Sequence, residues 1–181
     1  LRGKTLAIIG LGVTGIEVAK IARGLGMRVE AVTKHPSTKS QGYDKKYFVD
    51  DLAGIDHLPE VLARADIVSI HTPLIEETRN MFGEKEFSVM KKSAYLINVA
   101  RAKIVNKDAL FIALSTQRIA GAAFDVFWDE PPIPEDQILS LENFILTPHI
   151  AGWTAEAIEA ITRIISINIE RMSRREVPLT V

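Results

Sequence analysis

Two kinds of hydrophobic pattern alternate along this chain. Short apolar, β-branched runs favour strands, and the segments between them repeat apolar residues at helical spacing. The predicted strands are TLAII, MRVEAV, YFVD, DIVSIH, AYLINV, IAGAAFDV and NFILT. The predicted helices cover residues 15–25, 57–64, 84–90, 106–116 and 154–172.

This alternation predicts an α/β fold. Several strands are nearly continuous apolar runs, as expected for parallel strands buried on both faces. Right-handed crossovers then give a three-layer, doubly wound, mostly parallel sheet. Gly26 is expected to end the first helix. The stretch FWDEPPIPEDQILSLE, rich in proline and acids, is predicted to be a functional loop without regular structure.

Composition narrows the class of protein. The 181 residues are 47% hydrophobic and 25% charged, which is typical of a globular chain with a substantial core. Lys and Arg total 22 against 23 acids, so no net field favours nucleic acid or an acidic membrane. No apolar run approaches the ~18 residues of a membrane span. The absence of cysteine excludes disulfides and thiolate metal sites and fits a reducing cytoplasm, and no metal site is expected.

A glycine motif joins the first strand to the first helix. In TLAIIGLGVTGIEVAK, Gly10 permits a tight turn, Gly12 lets the backbone approach a pyrophosphate, and Gly15 lets helix and strand pack closely. The amides of the helix N-terminus can bind phosphate. In this context the motif predicts a dinucleotide-binding domain of the Rossmann type.

The second strand lacks the acid that usually binds the adenosine ribose of NAD. It ends in Thr33, Lys34 and His35. Glu30 lies three residues before the strand end, about 10 Å short of the sheet edge. A hydroxyl beside two nitrogen bases suits a 2′-phosphate, which favours NADP over NAD. Alternatively, Lys34 is a solvated loop residue and NAD binds without the acid.

Polar residues also follow the other predicted strands. Ligands of open α/β sheets bind beyond the carboxyl ends of the strands, so these residues are expected to converge on one crevice. Taken singly, Arg101 could be a solvated surface residue, His149 a structural histidine and Asp125 a turn cap. Together they favour a cofactor-and-substrate site. The strand ends concerned are His71-Thr72-Pro73, residues 98–101, Asp125 and Thr147-Pro148-His149.

Three longer motifs resemble one family. NVARAKIVNKDAL, IAGAAFDVFWDEPP and ILTPHIAGWT, in this order and spacing, are similar to the D-isomer-specific 2-hydroxyacid dehydrogenases. The resemblance spans residues 1–181 as a single nucleotide-binding Rossmann domain, with the family's substrate-binding domain absent. It implies an NAD- or NADP-dependent oxidoreductase acting on a 2-hydroxy acid/2-oxo acid pair, commonly a homodimer. The isolated domain is expected to be inactive.

The resemblance also implies roles for individual residues. Arg101 would hold the substrate carboxylate in a bidentate pair. His149 would be the general acid/base, with Glu130 pairing to its imidazole. Asp125 would meet the nicotinamide end of the cofactor.

The cofactor contacts are drawn from the strand ends and from the resemblance together. Ala102 replaces the family's usual glycine, and the Val13-Thr14 pair departs from its usual residues, so a phosphate contact passes to the Thr14 hydroxyl or is lost. The expected contacts are Gly10, Gly12, Val13, Thr14, Gly15, Thr33, Lys34, His35, His71, Thr72, Pro73, Thr78, Val99, Ala100, Arg101, Asp125, His149, Ala151 and Gly152.

Two other functions stay open. A nicotinamide-sensing corepressor module shares this fold and resembles the enzymes at Arg101, Glu130 and His149, and turnover of 2-oxo acids would separate the two. A formate- or phosphite-type dehydrogenase is compatible with Arg101 and His149 and fits less well at Glu130.

Overall fold

The computed structural model describes residues 1–36 and 48–179 and divides the chain into two compact units, residues 1–148 and 149–181. The first unit contains strands and helices in alternation, and the second contains the last helix. The elements are β1 Thr5–Ile9, α1 Val13–Gly24, β2 Arg28–Thr33, β3 Asp51–Gly54, α2 Leu58–Arg64, β4 Ile67–Ile70, α3 Glu84–Val89, β5 Tyr95–Asn98, α4 Lys107–Ser115, β6 Gly121–Phe124, β7 Phe144–Leu146 and α5 Ala155–Ser173.

Within the described residues, seven strands form one parallel sheet in the order β3-β2-β1-β4-β5-β6-β7. The order reverses between β1 and β4, which makes this the switch point of the sheet. Ile9 at the end of β1 is in register with Val32 on one side and with Ile70 on the other. The carboxyl ends of β1, β2 and β4 therefore meet at one place.

The core lies on both faces of the sheet. Leu6 and Ile8 of β1 pack with Ala19 and Ala22 of α1 on one face. Ala7 and Ile9, which point the other way, pack in a cluster with α2, α3 and α4. This alternation with a period of two gives the three-layer, doubly wound fold that the sequence predicts.

Local signals set the helix ends. Gly26 has φ +74° and lies just beyond α1, where its amide donates to the carbonyl of Arg23 at 2.9 Å and that of Met27 to Ala22 at 3.1 Å. This confirms the predicted glycine end. At the start of α4, the Asn106 side chain accepts from the Ala109 amide at 2.9 Å.

Two predictions about this unit are wrong. The strand predicted for YFVD is not formed at its described residues, because Phe48 has φ +60°, and β3 begins instead at Asp51. Tyr47 lies outside the described residues. The stretch predicted to lack regular structure contains a short 3-10 helix, Gln137–Ser140, whose first turn is capped by Asp136 and whose Ile138 is buried.

The second unit consists of a turn and α5. The Thr154 side chain caps this helix by accepting from the Ala157 amide at 3.1 Å. No residue of α5 is buried, and an apolar stripe along it stays more than half exposed (Ile158, Ile161, Ile165, Ile169 and Met172). None of the helices in the described parts of the chain has the length and apolar character needed to cross a membrane.

Candidate functional site

A cavity of about 470 Å³ opens at the carboxyl ends of β1, β2 and β4, and we call it the strand-end cavity. Its volume lies in the range of small-molecule sites. It is lined by Ile9, Gly10, Leu11, Gly12, Val32, Thr33, Lys34, Ile55, His71, Thr72, Pro73, Ile75, Glu77, Thr78 and Met81. A cavity of about 520 Å³ beside α3 and α4 is slightly larger, but none of the predicted site residues lines it.

Gly10 and Gly15 are required by the close packing of the glycine turn. Gly10 has φ +99°, and a Cβ built on it would lie 2.6 Å from the carbonyl oxygen of His71. A Cβ on Gly15 would lie 2.3 Å from the carbonyl oxygen of Gly10. The end of β1, the start of α1 and the end of β4 are therefore packed backbone to backbone, as the sequence indicates for these glycines.

Gly12 plays a different part. It is the N-cap residue of α1, where no side-chain hydrogen bond caps the helix, and a Cβ built on it would meet nothing within 4 Å. The space above it opens into the strand-end cavity, which Gly12 lines. An uncapped helix N-terminus beside open space fits the pyrophosphate of a dinucleotide, which needs close backbone approach and amide donors.

Glu30 is a structural residue. Its side chain is 1% exposed and accepts from Arg64 Nη2 at 2.7 Å and from Arg28 Nε at 3.1 Å. Burial raises the pKa of Glu30, but the hydrogen bonds and charges of Arg64 and Arg28 outweigh burial and lower it below its usual value. The structure agrees that Glu30 is not the missing ribose acid.

The end of β2 brings Thr33 and Lys34 into the strand-end cavity. Lys34 is paired: its Nζ lies 3.0 Å from Oε1 of Glu77, which comes from the 3-10 turn Glu76–Thr78 after β4. His35 is exposed and is not among the residues that line the cavity.

The end of β4 supplies His71 to the same cavity. Its Nε2 lies 2.8 Å from the hydroxyl of Ser69, and burial lowers the pKa of His71. The imidazole is therefore neutral at pH 7. Thr78 organises the following turn, since its hydroxyl donates to the carbonyl of Pro73 at 2.7 Å and accepts from the Ile75 amide at 2.9 Å.

Asn98 shapes the loop that carries Arg101. It is fully buried at the end of β5, where Nδ2 donates to the carbonyl of Arg101 at 3.0 Å and Oδ1 accepts from the Ala100 amide at 3.0 Å. Arg101 itself is exposed, with Nη1 donating to the carbonyl of Ala100 at 2.7 Å. The loop backbone is thus held by one buried amide side chain while the guanidinium reaches solvent.

The ends of β6 and β7 place Asp125 and Thr147 together. Asp125 is 5% exposed, and its Oδ1 accepts from the hydroxyl of Thr147. Farther along, Oε1 of Glu130 accepts from the amide of Phe127 at 2.9 Å. The indole of Trp128 donates to the carbonyl of Val105 at 2.8 Å, which ties the loop to the segment just before α4.

The second unit contains His149, Ala151 and Gly152. His149 is exposed and has φ +55°, a left-handed conformation that non-glycine residues adopt uncommonly. The turn is closed by the amide of Trp153, which donates to the carbonyl of Ile150 at 2.9 Å.

The strand-end cavity collects eight of the expected cofactor residues: Gly10, Gly12, Thr33, Lys34, His71, Thr72, Pro73 and Thr78. Val13, Thr14 and Gly15 lie in the first turn of α1. Val99, Ala100, Arg101 and Asp125 follow β5 and β6, outside this cavity. Among the described residues, no three His, Asp or Glu side chains are grouped so that they could hold a metal ion.

Sequence reasoning missed Glu77 and Ser69, and it placed Asn98 at a strand end without a role. Glu77 pairs with Lys34 after β2, and Ser69 hydrogen-bonds to His71 after β4. Asn98 donates a hydrogen bond to the loop that carries Arg101. A polar residue inside an apolar strand was the available signal for Ser69 and Asn98. Glu77 carried no signal, because it stands beside another glutamate in a polar turn.

The sequence model of "D-isomer specific 2-hydroxyacid dehydrogenase, NAD binding domain" matches residues 1–151. The chain belongs to this family. Its parallel-sheet fold is that of the family's NAD-binding domain, and members of the family are oxidoreductases that act on the CH–OH group of 2-hydroxy acids.

Individual members of the D-2-hydroxyacid dehydrogenase family are similar over most of this chain. A glyoxylate reductase of Korarchaeum cryptofilum is 38% identical over 178 residues, which cover 97% of this chain and 51% of that protein. D-3-phosphoglycerate dehydrogenase 2, chloroplastic, of Arabidopsis thaliana is 40% identical over 162 residues, covering 89% and 25%. The crystal structure of D-lactate dehydrogenase with NAD⁺ from Lactobacillus jensenii superposes with a TM-score of 0.83 at 33% identity, covering 98% of this chain and 55% of that one. The chain spans about half the length of the glyoxylate reductases it matches.

Proposed function

We propose that this chain is the cofactor-binding part of a D-2-hydroxyacid dehydrogenase that interconverts a 2-hydroxy acid and a 2-oxo acid with NAD or NADP. The strand-end cavity carries the proposal, because Gly12 leaves open space beside an uncapped helix N-terminus at the switch point of the sheet. The similar enzymes named above are a glyoxylate reductase, a phosphoglycerate dehydrogenase and a D-lactate dehydrogenase.

The proposed chemistry divides between cofactor and protein. The nicotinamide, when bound, supplies or accepts the hydride. Arg101 binds the substrate carboxylate with its guanidinium, which is exposed beyond β5. His149 gives a proton to the 2-oxo oxygen during reduction and takes one from the hydroxyl in the reverse direction. Glu130 orients His149, and these three roles rest on the family motifs.

The other expected cofactor contacts are part of the same proposal. The first-turn residues of α1 (Val13, Thr14 and Gly15) meet the pyrophosphate. Val99, Ala100 and Asp125 meet the nicotinamide half, with backbone contacts from Ala151 and Gly152. The predicted preference for NADP rests on Thr33, Lys34 and His35, and it requires a Lys34 that is available to a 2′-phosphate, whereas Lys34 is paired with Glu77.

The cellular setting is also proposed. We propose that the protein works in the cytoplasm, since a chain without cysteine is compatible with its reducing conditions, and that it forms a homodimer, as the resemblance to the family implies. Small 2-hydroxy and 2-oxo acids are the proposed substrates.

Turnover tests the proposal. The full-length protein that contains this chain is assayed with reduced nicotinamide and a panel of 2-oxo acids. We expect turnover of at least one acid, and a loss of about 100-fold in kcat/KM for Arg101→Lys, because lysine cannot form the bidentate pair. NAD affinity is measured in the same variant: a loss confined to kcat/KM assigns Arg101 to the substrate carboxylate, and an equal loss of NAD affinity assigns it to the cofactor. Dinucleotide binding without turnover of any acid would contradict the proposed dehydrogenase activity and favour the nicotinamide-sensing corepressor module.

A further inference from the structure

An ion pair crosses the rim of the strand-end cavity. Lys34 follows β2 and Glu77 follows β4, the two strands that flank β1, and both side chains line the cavity. Their charged atoms lie 3.0 Å apart, although the residues are 43 positions apart in sequence. The pair therefore bridges the two sides of the switch point, beside the place where the adenosine ribose of a dinucleotide binds.

The two charges of this pair cancel. Apart from His71, Lys34 is the one basic residue and Glu77 the one acidic residue among the described residues that line the cavity. His71 adds no positive charge at pH 7, since burial lowers its pKa. A phosphomonoester carries a charge of about −1.5 to −2 near neutral pH. Such a group would share Lys34 with the carboxylate of Glu77, whose like charge repels it.

A ribose hydroxyl, unlike a phosphate, is not repelled by the carboxylate of Glu77. A hydroxyl is neutral and can donate a hydrogen bond to a carboxylate. The acid at the end of the second strand usually accepts this hydrogen bond from the ribose. Thr33 occupies the end of β2 and has no carboxylate, and Glu30 is committed to Arg64 and Arg28. Glu77 is the acid that lines this cavity within the described residues.

We propose that Glu77 is the specificity-determining acid of this site: it holds Lys34 and disfavours a 2′-phosphate, so that NADP binds less well than Lys34 alone would allow. This inference rests on the proposed dinucleotide-binding function and deepens it. In proteins with this glycine motif, the acid that selects the cofactor usually lies at the end of the second strand, whereas here it would lie in the turn after β4.

The test measures dissociation constants of NAD and NADP for the chain and for Glu77→Gln. We expect the ratio of the NADP constant to the NAD constant to fall about tenfold in Glu77→Gln, because removal of one negative charge leaves Lys34 free for the 2′-phosphate. The matched control is Glu76→Gln, which removes an exposed carboxylate from the same turn that does not line the cavity. Its ratio should change less than about twofold, since an exposed charge farther from the site is screened by salt.

A double variant, Lys34→Gln with Glu77→Gln, should lose the gain in NADP affinity. If NAD binds the wild-type chain and Glu77→Gln leaves the ratio unchanged, the inference is wrong while the proposed function stands. An equal shift in Glu76→Gln would also overturn it, because the effect would then be one of net charge. If neither dinucleotide binds the wild-type chain, the proposed function and the inference both fail.

Discussion

Gly15 packs directly against the carbonyl group of Gly10: a Cβ on Gly15 would fall 2.3 Å from the Gly10 oxygen. A backbone atom cannot rotate away as the end of a side chain can. We therefore expect Gly15→Ala to lower the free energy of unfolding by about 2–3 kcal/mol through overpacking. Thermal or urea unfolding would measure this change.

Gly24 offers the control for this prediction. It lies in the same helix, α1, and a Cβ on it would meet nothing within 4 Å. Gly24→Ala should stabilise the protein by about 0.5–1 kcal/mol, because alanine favours the helix over glycine. Equal unfolding free energies for the two variants would contradict the packing at Gly15.

Gly12→Ala should separate binding from folding. A Cβ at Gly12 enters open space, so the fold should lose less than about 1 kcal/mol, the cost of a poorer helix cap. The same Cβ would occupy the approach of a pyrophosphate to the start of α1. We expect NAD affinity to fall at least about tenfold by calorimetric titration. A variant that binds NAD as tightly as the wild type would exclude Gly12 from the phosphate site.

The free energy of unfolding should fall in acid, because several carboxylates of the first unit are ion-paired. Hydrogen bonds from arginine, lysine or backbone amides lower the pKa values of Glu30, Asp50 and Asp66, against the effect of burial. A carboxylate whose pKa is lower in the folded state stabilises it fully above the unfolded value, which is 4.5 for Glu30. This contribution is lost as the pH falls from about 4.5 through the folded value. Urea unfolding at a series of pH values would measure it.

Glu30→Gln isolates one of these groups. The amide keeps the size of the side chain but loses the charge that Arg64 and Arg28 bind, so stability at pH 7 should fall by about 1.5–3 kcal/mol. The pH dependence below 4.5 should become shallower than that of the wild type. Glu142→Gln, at an exposed position, should change neither quantity. If the stability of Glu30→Gln depended on pH as steeply as that of the wild type, Glu30 would not be one of the groups responsible.

Asn98 is expected to matter more than its place outside the strand-end cavity suggests. Asn98→Ala would leave the carbonyl of Arg101 and the amide of Ala100 without this partner. We expect a loss of about 2–3 kcal/mol in the free energy of unfolding. Under the proposed function, the KM of the full-length protein for a 2-oxo acid should also rise, because the Arg101 loop is no longer fixed. A stable variant with an unchanged KM would show that the loop is held by other contacts.

The sequence predicted most elements because their patterns are local. The fingerprint strand β1 has the predicted bounds, and α4 begins one residue after the predicted start, since Asn106 is its cap. Strand β3 was placed wrongly because DLAG has neither alternation nor β-branched residues. Its pairing with β2, from Glu30 opposite Asp51 to Thr33 opposite Gly54, makes it a strand.

The site was predictable where topology alone determines it. Residues that follow parallel strands must come to one edge, so His71 and Thr33 could be placed in the same cavity without coordinates. Side-chain partners could not be placed in this way. The pairing of Lys34 with Glu77 depends on the angles of two loops, and hydrophobic periodicity carries no information about such angles.

The exposure of Lys34 and Glu77 has an evolutionary consequence. Their side chains are 60% and 63% exposed, and pairs of this kind contribute about 0–1 kcal/mol to stability. Selection can therefore exchange either residue without putting the fold at risk, whereas Gly10 and Gly15 allow almost no change. With the role proposed for Glu77, one or two surface substitutions would be enough for a lineage that carries this domain to change between NAD and NADP and keep the same scaffold.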